Sequence, residues 1–201
     1  MKNLVIGTLL SLGLVSGAQA AGDATAGQGK TAVCAGCHGV DGNSMVPNFP
    51  KLAGLGEKYL LKQLNDVKSG NRVIVEMTGI LDNLNDQDLQ DIAAYYASKK
   101  IQGGQADPEL AAIGEEIYRA GDESKGLAAC AACHGPAGAG VESAAFPALA
   151  GQHAAYIESS LVKFSKGERA NDPNQMMRGV AAKMSESDMK AVAQYIQGLY
   201  N

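Results

Sequence analysis

Basic residues are in the minority in this 201-residue chain: 17 lysines and arginines face 21 aspartates and glutamates, a net charge of −4. Nucleic-acid binding needs a basic footprint and is excluded on that ground. An acidic surface suits partners with a complementary basic patch instead. The chain also lacks any convincing run of alternating apolar and polar residues, so β-strands are not expected. Beyond the first twenty residues, no segment is long and apolar enough to cross a membrane. Cysteine is scarce, at four residues, and histidine scarcer, at three.

Those first twenty residues read as a leader. Lys2 supplies a positive start, and Leu4 to Leu14 is an apolar run too short to span a membrane comfortably. Ala18-Gln19-Ala20 then gives a small-x-small cleavage site before Ala21. Residues 1–20 are therefore expected to be an export signal, and the loss of Lys2 takes the net charge from −4 to −5. The remaining chain, about 180 residues, falls in the one- or two-domain range.

All four cysteines and two of the three histidines lie in two copies of one pentapeptide, Cys34-Ala-Gly-Cys37-His38 and Cys130-Ala-Ala-Cys133-His134. Cys-x-x-Cys-His is the spacing of a c-type haem attachment site. Two thiols add to the two vinyl groups of one haem, and the adjacent imidazole ligates the iron from one face. Two copies with no cysteine left over imply two covalently bound haem c groups. Half of such a chain is a small domain whose protein core alone is marginal, and a haem supplies the missing apolar centre. Other readings fit less well. A zinc ribbon sets its pairs roughly 15–20 residues apart, far closer than these. A thioredoxin-like dithiol explains neither the histidine after each pair nor the lack of a βαβ pattern. A bridge within Cys-x-x-Cys closes too small a loop to stabilise much.

The motifs head an internal repeat. Phe49-Pro50-Lys51-Leu52-Ala53-Gly54 matches Phe146-Pro147-Ala148-Leu149-Ala150-Gly151. Leu60, Leu64 and Val67 match Ile157, Leu161 and Phe164, an apolar helical face, with Gly70 and Gly167 where a helix would end. Leu89, Ile92, Ala93 and Tyr96 match Met189, Val192, Ala193 and Ile196 on a final helix, preceded by cap candidates Asn85/Asp88 and Ser185/Asp188. Helices are also expected ahead of each motif, over 24–33 and over 108–119, the second with Asp107 as N-cap and Pro108 in its first turn. The fold class is all-α, two domains of one design: 21–101 and 108–201, with a linker at 102–107.

The ligand on the far face of the iron decides the chemistry. Methionine there makes an electron carrier, whereas an open site permits binding or activation of small molecules. Counting back from the final helices, Met77 falls on Met177, and no other methionine finds a methionine partner. Met184 and Met189 fall on leucines and read as core fillers, while Met176 falls on Glu76 and should face outward. Met176, adjacent to Met177, and Met45, in the loop after the first motif, stay open as rival ligands.

The order in each half, Cys-x-x-Cys-His, a Pro-x-Leu loop, a helix, a methionine and a final helix, resembles class I cytochrome c. Two such halves in one chain closely resemble the dihaem cytochrome c4 family over essentially the whole sequence after the leader. The resemblance implies two domains about a pseudo-two-fold axis, haems near their interface, and electron transfer in the periplasm without a small-molecule substrate. Its donor would be a bc1-type complex and its acceptor a terminal oxidase; peripheral membrane association stays open. By the same resemblance Cys34, Cys37, Cys130 and Cys133 bear the thioethers, His38 and His134 are proximal ligands, and Met77 and Met177 are distal ones. Pro50 and Pro147 offer the carbonyl that fixes the proximal imidazole, and Leu52 and Leu149 pack on the haem. Arg72 and Arg169 are candidates for propionate pairing, or are solvated. Tyr59 and Tyr156, which coincide in the repeat, are core or haem-edge residues. His153 is expected to be a solvated surface residue. A dihaem peroxidase is the enzymatic rival, but it needs one iron open to peroxide and acid–base groups beside it. Here both sites look closed, and the protein is expected not to be an enzyme.

Overall fold

Residues 21–200 are described by the computed structural model, so the expected leader lies outside them. The first half begins with α1 (Ala24–Gln28), capped by the Asp23 carboxylate, which accepts from the Thr25 and Ala26 amides. It does not continue to residue 33 as the sequence suggested. Gly29 ends it, and the Thr31 hydroxyl donates back to the Gln28 carbonyl at 2.9 Å. The chain then restarts as α2 (Ala32–His38), so the motif has a helix of its own. α3 (Glu57–Lys68) and α4 (Asp86–Ala97) complete the half.

The second half repeats this plan. α5 (Pro108–Ala120) starts at the Asp107 cap as expected, and α6 (Ala131–His134) carries the motif. α7 (Ala154–Ser165), α8 (Met176–Ala181) and α9 (Glu186–Gly198) follow. Gly70 and Gly167 adopt φ of +78° and +72° just past α3 and α7, where a side chain would be strained. Both final helices open with a complete capping box, Asn85 with Asp88 and Ser185 with Asp188. Among the described residues there are no strands, only isolated bridges at Asp122–Leu127 and Val141–Phe146.

In each half the first helix crosses the last at a glycine. A Cβ on Gly27 would lie 2.0 Å from the Asp91 carbonyl oxygen, and one on Gly114 would lie 2.1 Å from that of Ala191. The crossing brings backbone against backbone, so only glycine fits. Around it each half builds its own core. In the first, Leu60, Ile92 and Tyr96 pack with Cys34 and Leu52; in the second, Leu161, Val192 and Ile196 pack with Cys130, Leu149 and Met177.

The halves meet along α3 and α7 in a pseudo-two-fold arrangement. Arg72 Nη2 donates to the Tyr156 hydroxyl at 3.1 Å, and Arg169 Nη2 donates to the Tyr59 hydroxyl at 3.1 Å. Both residue pairs are related by the repeat, so the contact is the same seen from either side. The arginines are thus interface residues rather than solvated ones, and Arg169 is buried. His153 also departs from expectation. It is half-buried, and its Nε2 donates to the Ser44 carbonyl of the other half at 2.8 Å.

Candidate functional site

Helix geometry sets out each motif. Cys34, Cys37 and His38 are spaced i, i+3, i+4 on α2 and so share one face. Cys130, Cys133 and His134 do the same around α6. Cys34 and Cys130 are half-buried, and Cys37 and Cys133 are exposed. Burial pushes the Cys34 thiol up, and that of Cys130 up to about 11.

Each histidine is oriented by a loop carbonyl. His38 Nδ1 lies 2.8 Å from the Pro50 oxygen, and His134 Nδ1 lies 2.9 Å from that of Pro147. A carbonyl can only accept, so Nδ1 carries the proton and the Nε2 lone pair is left for a metal. Burial lowers the pKa of both imidazoles, favouring the neutral form that ligates. The proline loops are themselves tied down: the Leu52 and Ala53 amides donate to the Gly42 carbonyl, and the Leu149 and Ala150 amides to that of Gly138. Phe49 and Phe146 stand beside the imidazoles, with ring centroids 6.3 and 6.4 Å away.

The methionines sort themselves by burial. Met184 and Met189 are core residues, whereas Met45 is 89 % exposed and Met176 40 % exposed. Met77 and Met177 are half-buried. Met177 packs with Leu149 and Cys130 against the second core, while Met77 ends the 3-10 turn Val75–Met77 outside the first core cluster. The approach to Met177 is unusual. Asn174 and Gln175 are both left-handed, at φ of +52° and +58°, and Arg178 clamps the turn through its amide and Nε to the Asp172 carboxylate.

The donor set fits haem rather than a bare ion. Among the described residues no three histidine, cysteine or carboxylate side chains converge as metal ligands. One imidazole and two thiols per motif, with exposed apolar side chains such as Val33, Val46 and Val141 flanking them, suit an apolar macrocycle held by thioethers. Covalent haem binding, twice over, is the class this arrangement defines: a tandem c-type cytochrome.

Comparison with known proteins agrees. The cytochrome c family model matches residues 24–100 and again 111–200. The chain is 55 % identical to a cytochrome c4 of Pseudomonas aeruginosa over 201 residues, covering all of both. Its fold superposes on the crystal structure of reduced recombinant cytochrome c4 from Pseudomonas stutzeri with a TM-score of 0.88 at 56 % identity, covering 90 % of this chain and 100 % of that one. A "thiosulfate dehydrogenase electron acceptor" of Thiomonas intermedia is 39 % identical over 171 residues, 83 % of this chain and 78 % of its own. The chain belongs to the cytochrome c family and, within it, to the dihaem cytochromes c4. It is a dihaem c-type electron carrier with haem c bound covalently through its Cys-x-x-Cys-His motifs.

The sequence did not point to Lys51 and Gln152. Gln152 is 2 % exposed and clasps the backbone of Lys51 across the interface, accepting from its amide and donating to its carbonyl, both at 2.8 Å. Lys51 Nζ returns a bond to the Gly151 carbonyl at 3.0 Å. The signal was in the repeat: Lys51 falls on Ala148, and Gln152 falls on the buried Leu55.

Proposed function

We propose that the protein is a periplasmic shuttle in respiratory electron transport, with His38 and Met77 ligating one iron and His134 and Met177 the other. Bound haem c supplies reversible one-electron Fe(III)/Fe(II) chemistry. The chain's part is to hold both ligand sets fixed, so that little rearranges when an electron arrives. The single observation that carries this reading is the matched pair of sites. Each has an imidazole fixed by a proline carbonyl and a half-buried methionine at the same repeat position. Such closed centres suit transfer between proteins rather than reaction with a small substrate. The leader at 1–20 supports export. A bc1-type complex fits as donor and a terminal oxidase as acceptor. The relative named as an electron acceptor of thiosulfate dehydrogenase supports the same role with a different donor.

Spectroscopy of the ferric protein tests the ligation. A methionine–iron charge-transfer band accounting for two haems, with no carbon monoxide binding after reduction, is expected. Met177→Ala should halve that band and Met176→Ala should leave it. One high-spin haem, or rapid turnover of peroxide, would overturn the shuttle reading. Recovery in a periplasmic fraction checks the location.

A further inference from the structure

The two motif cysteines that face the cores have different neighbours. Tyr96, 1 % exposed, belongs to the same core as Cys34. Its hydroxyl is buried without a hydrogen-bond partner, although the Cys34 sulfur and the Thr31 hydroxyl are its polar neighbours. Thr31 spends its own proton on the Gln28 carbonyl. The repeat places Ile196 at the position of Tyr96 and Leu127 at that of Thr31, and both are buried in the core that holds Cys130. A tyrosine does stand near Cys130, namely Tyr118, but its proton goes to the Gly135 carbonyl at 2.7 Å. Tyr195, the other unpartnered hydroxyl, lies beside the Arg119 guanidinium, its ring packed on that of Tyr118. Cys34 therefore has an uncommitted buried hydroxyl next to it, whereas the tyrosine near Cys130 is committed elsewhere.

An unmet buried hydroxyl is costly, so it takes an acceptor where one is offered. A free thiol carries a proton of its own. Once Cys34 is a thioether that proton is gone, and the sulfur can only accept. We propose that the Tyr96 hydroxyl donates to the Cys34 thioether sulfur and so raises the reduction potential of the first haem, a device the second domain lacks. Tyr96 acts through the sulfur and is a positioning residue. A donor aimed at the sulfur draws electron density away from the macrocycle and places the positive end of a dipole near it. Both effects favour the ferrous state, since outer hydrogen bonds tune a haem's potential. The inference rests on haem attachment at Cys34.

Tyr96→Phe removes the hydroxyl and little volume. Potentiometric titration of the dihaem protein should show one potential falling by the equivalent of roughly a three- to tenfold change in equilibrium constant, tenfold being about 59 mV for one electron. The other potential and the methionine–iron band should stay as they are. If neither potential moves, or both move together, the proposal is wrong. A missing haem or a lost methionine band would instead refute the ligation reading. The native ferrous protein gives a second test by proton resonance. A slowly exchanging Tyr96 hydroxyl proton with a nuclear Overhauser contact to the Cys34 β-protons supports the bond. Contact with Thr31 alone overturns it.

Discussion

Removing the Gln152 clasp should loosen the two domains from one another. In Gln152→Ala the amide and carbonyl of Lys51, both bonded to this side chain at 2.8 Å, lose their partners. Lys51 is 5 % exposed, so water does not readily replace them. A buried polar group left unsatisfied costs about 1–3 kcal/mol. Two of them, with some recovery by relaxation, give a loss of about 3 kcal/mol. For a protein of this size that corresponds to a fall in Tm of roughly 6–12 °C. Gln152→Leu separates bonding from packing, because it restores the residue found at the matching position, Leu55, and fills most of the space. Thermal unfolding of the dihaem protein, followed at the haems and by far-ultraviolet dichroism, reads the effect. Both variants should be destabilised to a similar extent, with the two domains tending to unfold apart. If Gln152→Leu is as stable as the parent, the hydrogen bonds are not what holds the interface and the reasoning fails.

Gly114→Ala should cost the second domain about 2–3 kcal/mol, because its new methyl would meet the Ala191 carbonyl oxygen at 2.1 Å; an unchanged denaturation midpoint would contradict the crossing. Gln175→Gly should gain about 0.5–1 kcal/mol by relieving a left-handed glutamine, seen as a raised Tm with the methionine–iron band intact. Asp91 is held down to about 2 by the Lys30 ammonium, helped by the Asp23 amide and the Gln87 side chain. Its folded pKa lies below the ordinary 3.8, so its stabilisation, about 2 kcal/mol, is present above pH 4 and drains away as pH falls towards 2. Urea midpoints at pH 6 and pH 2.5 should therefore differ less in Asp91→Asn than in the parent.

Much of this was legible because the chain states its plan twice. The motif gives the thiols and imidazoles, and the repeat gives the proline loops and the final helices; it also sets Met77 and Met177 at one repeat position, which is why they are the proposed ligands. Periodicity also gives α3, α4, α7 and α9, whose apolar stripes run unbroken. It failed over 24–33, where Thr31 looked like one more helical residue. Its hydroxyl bond to Gln28 and the preceding Gly29 break the helix, which is a local competition that no stripe reports. The solvated reading of Arg72, Arg169 and His153 failed for a different reason. Charged and polar residues read as solvated until a second surface is known to cover them, and here the covering surface is the other half of the same chain.

The interface shows what joining two like domains permits. Identical halves can meet only through contacts that the axis maps onto themselves, and the crossed Arg72–Tyr156 and Arg169–Tyr59 pairs keep that form. Elsewhere the halves have diverged to fit each other. Lys51 stands against Ala148 in the repeat, Leu55 against Gln152, and Gly56 against His153, and Lys51, Gln152 and His153 all make cross-domain hydrogen bonds. Gly56 has the complementary role, since a Cβ there would lie 2.0 Å from the Glu142 carboxylate of the other half. Each of these contacts is made once, on one side of the axis only, unlike the crossed arginine–tyrosine pairs. The divergence fixes the separation of the two haem-binding cores through backbone groups, which move less than side chains do. It also leaves each core free to differ inside, as Tyr96 and Ile196 do, so that two centres of one design need not share one potential.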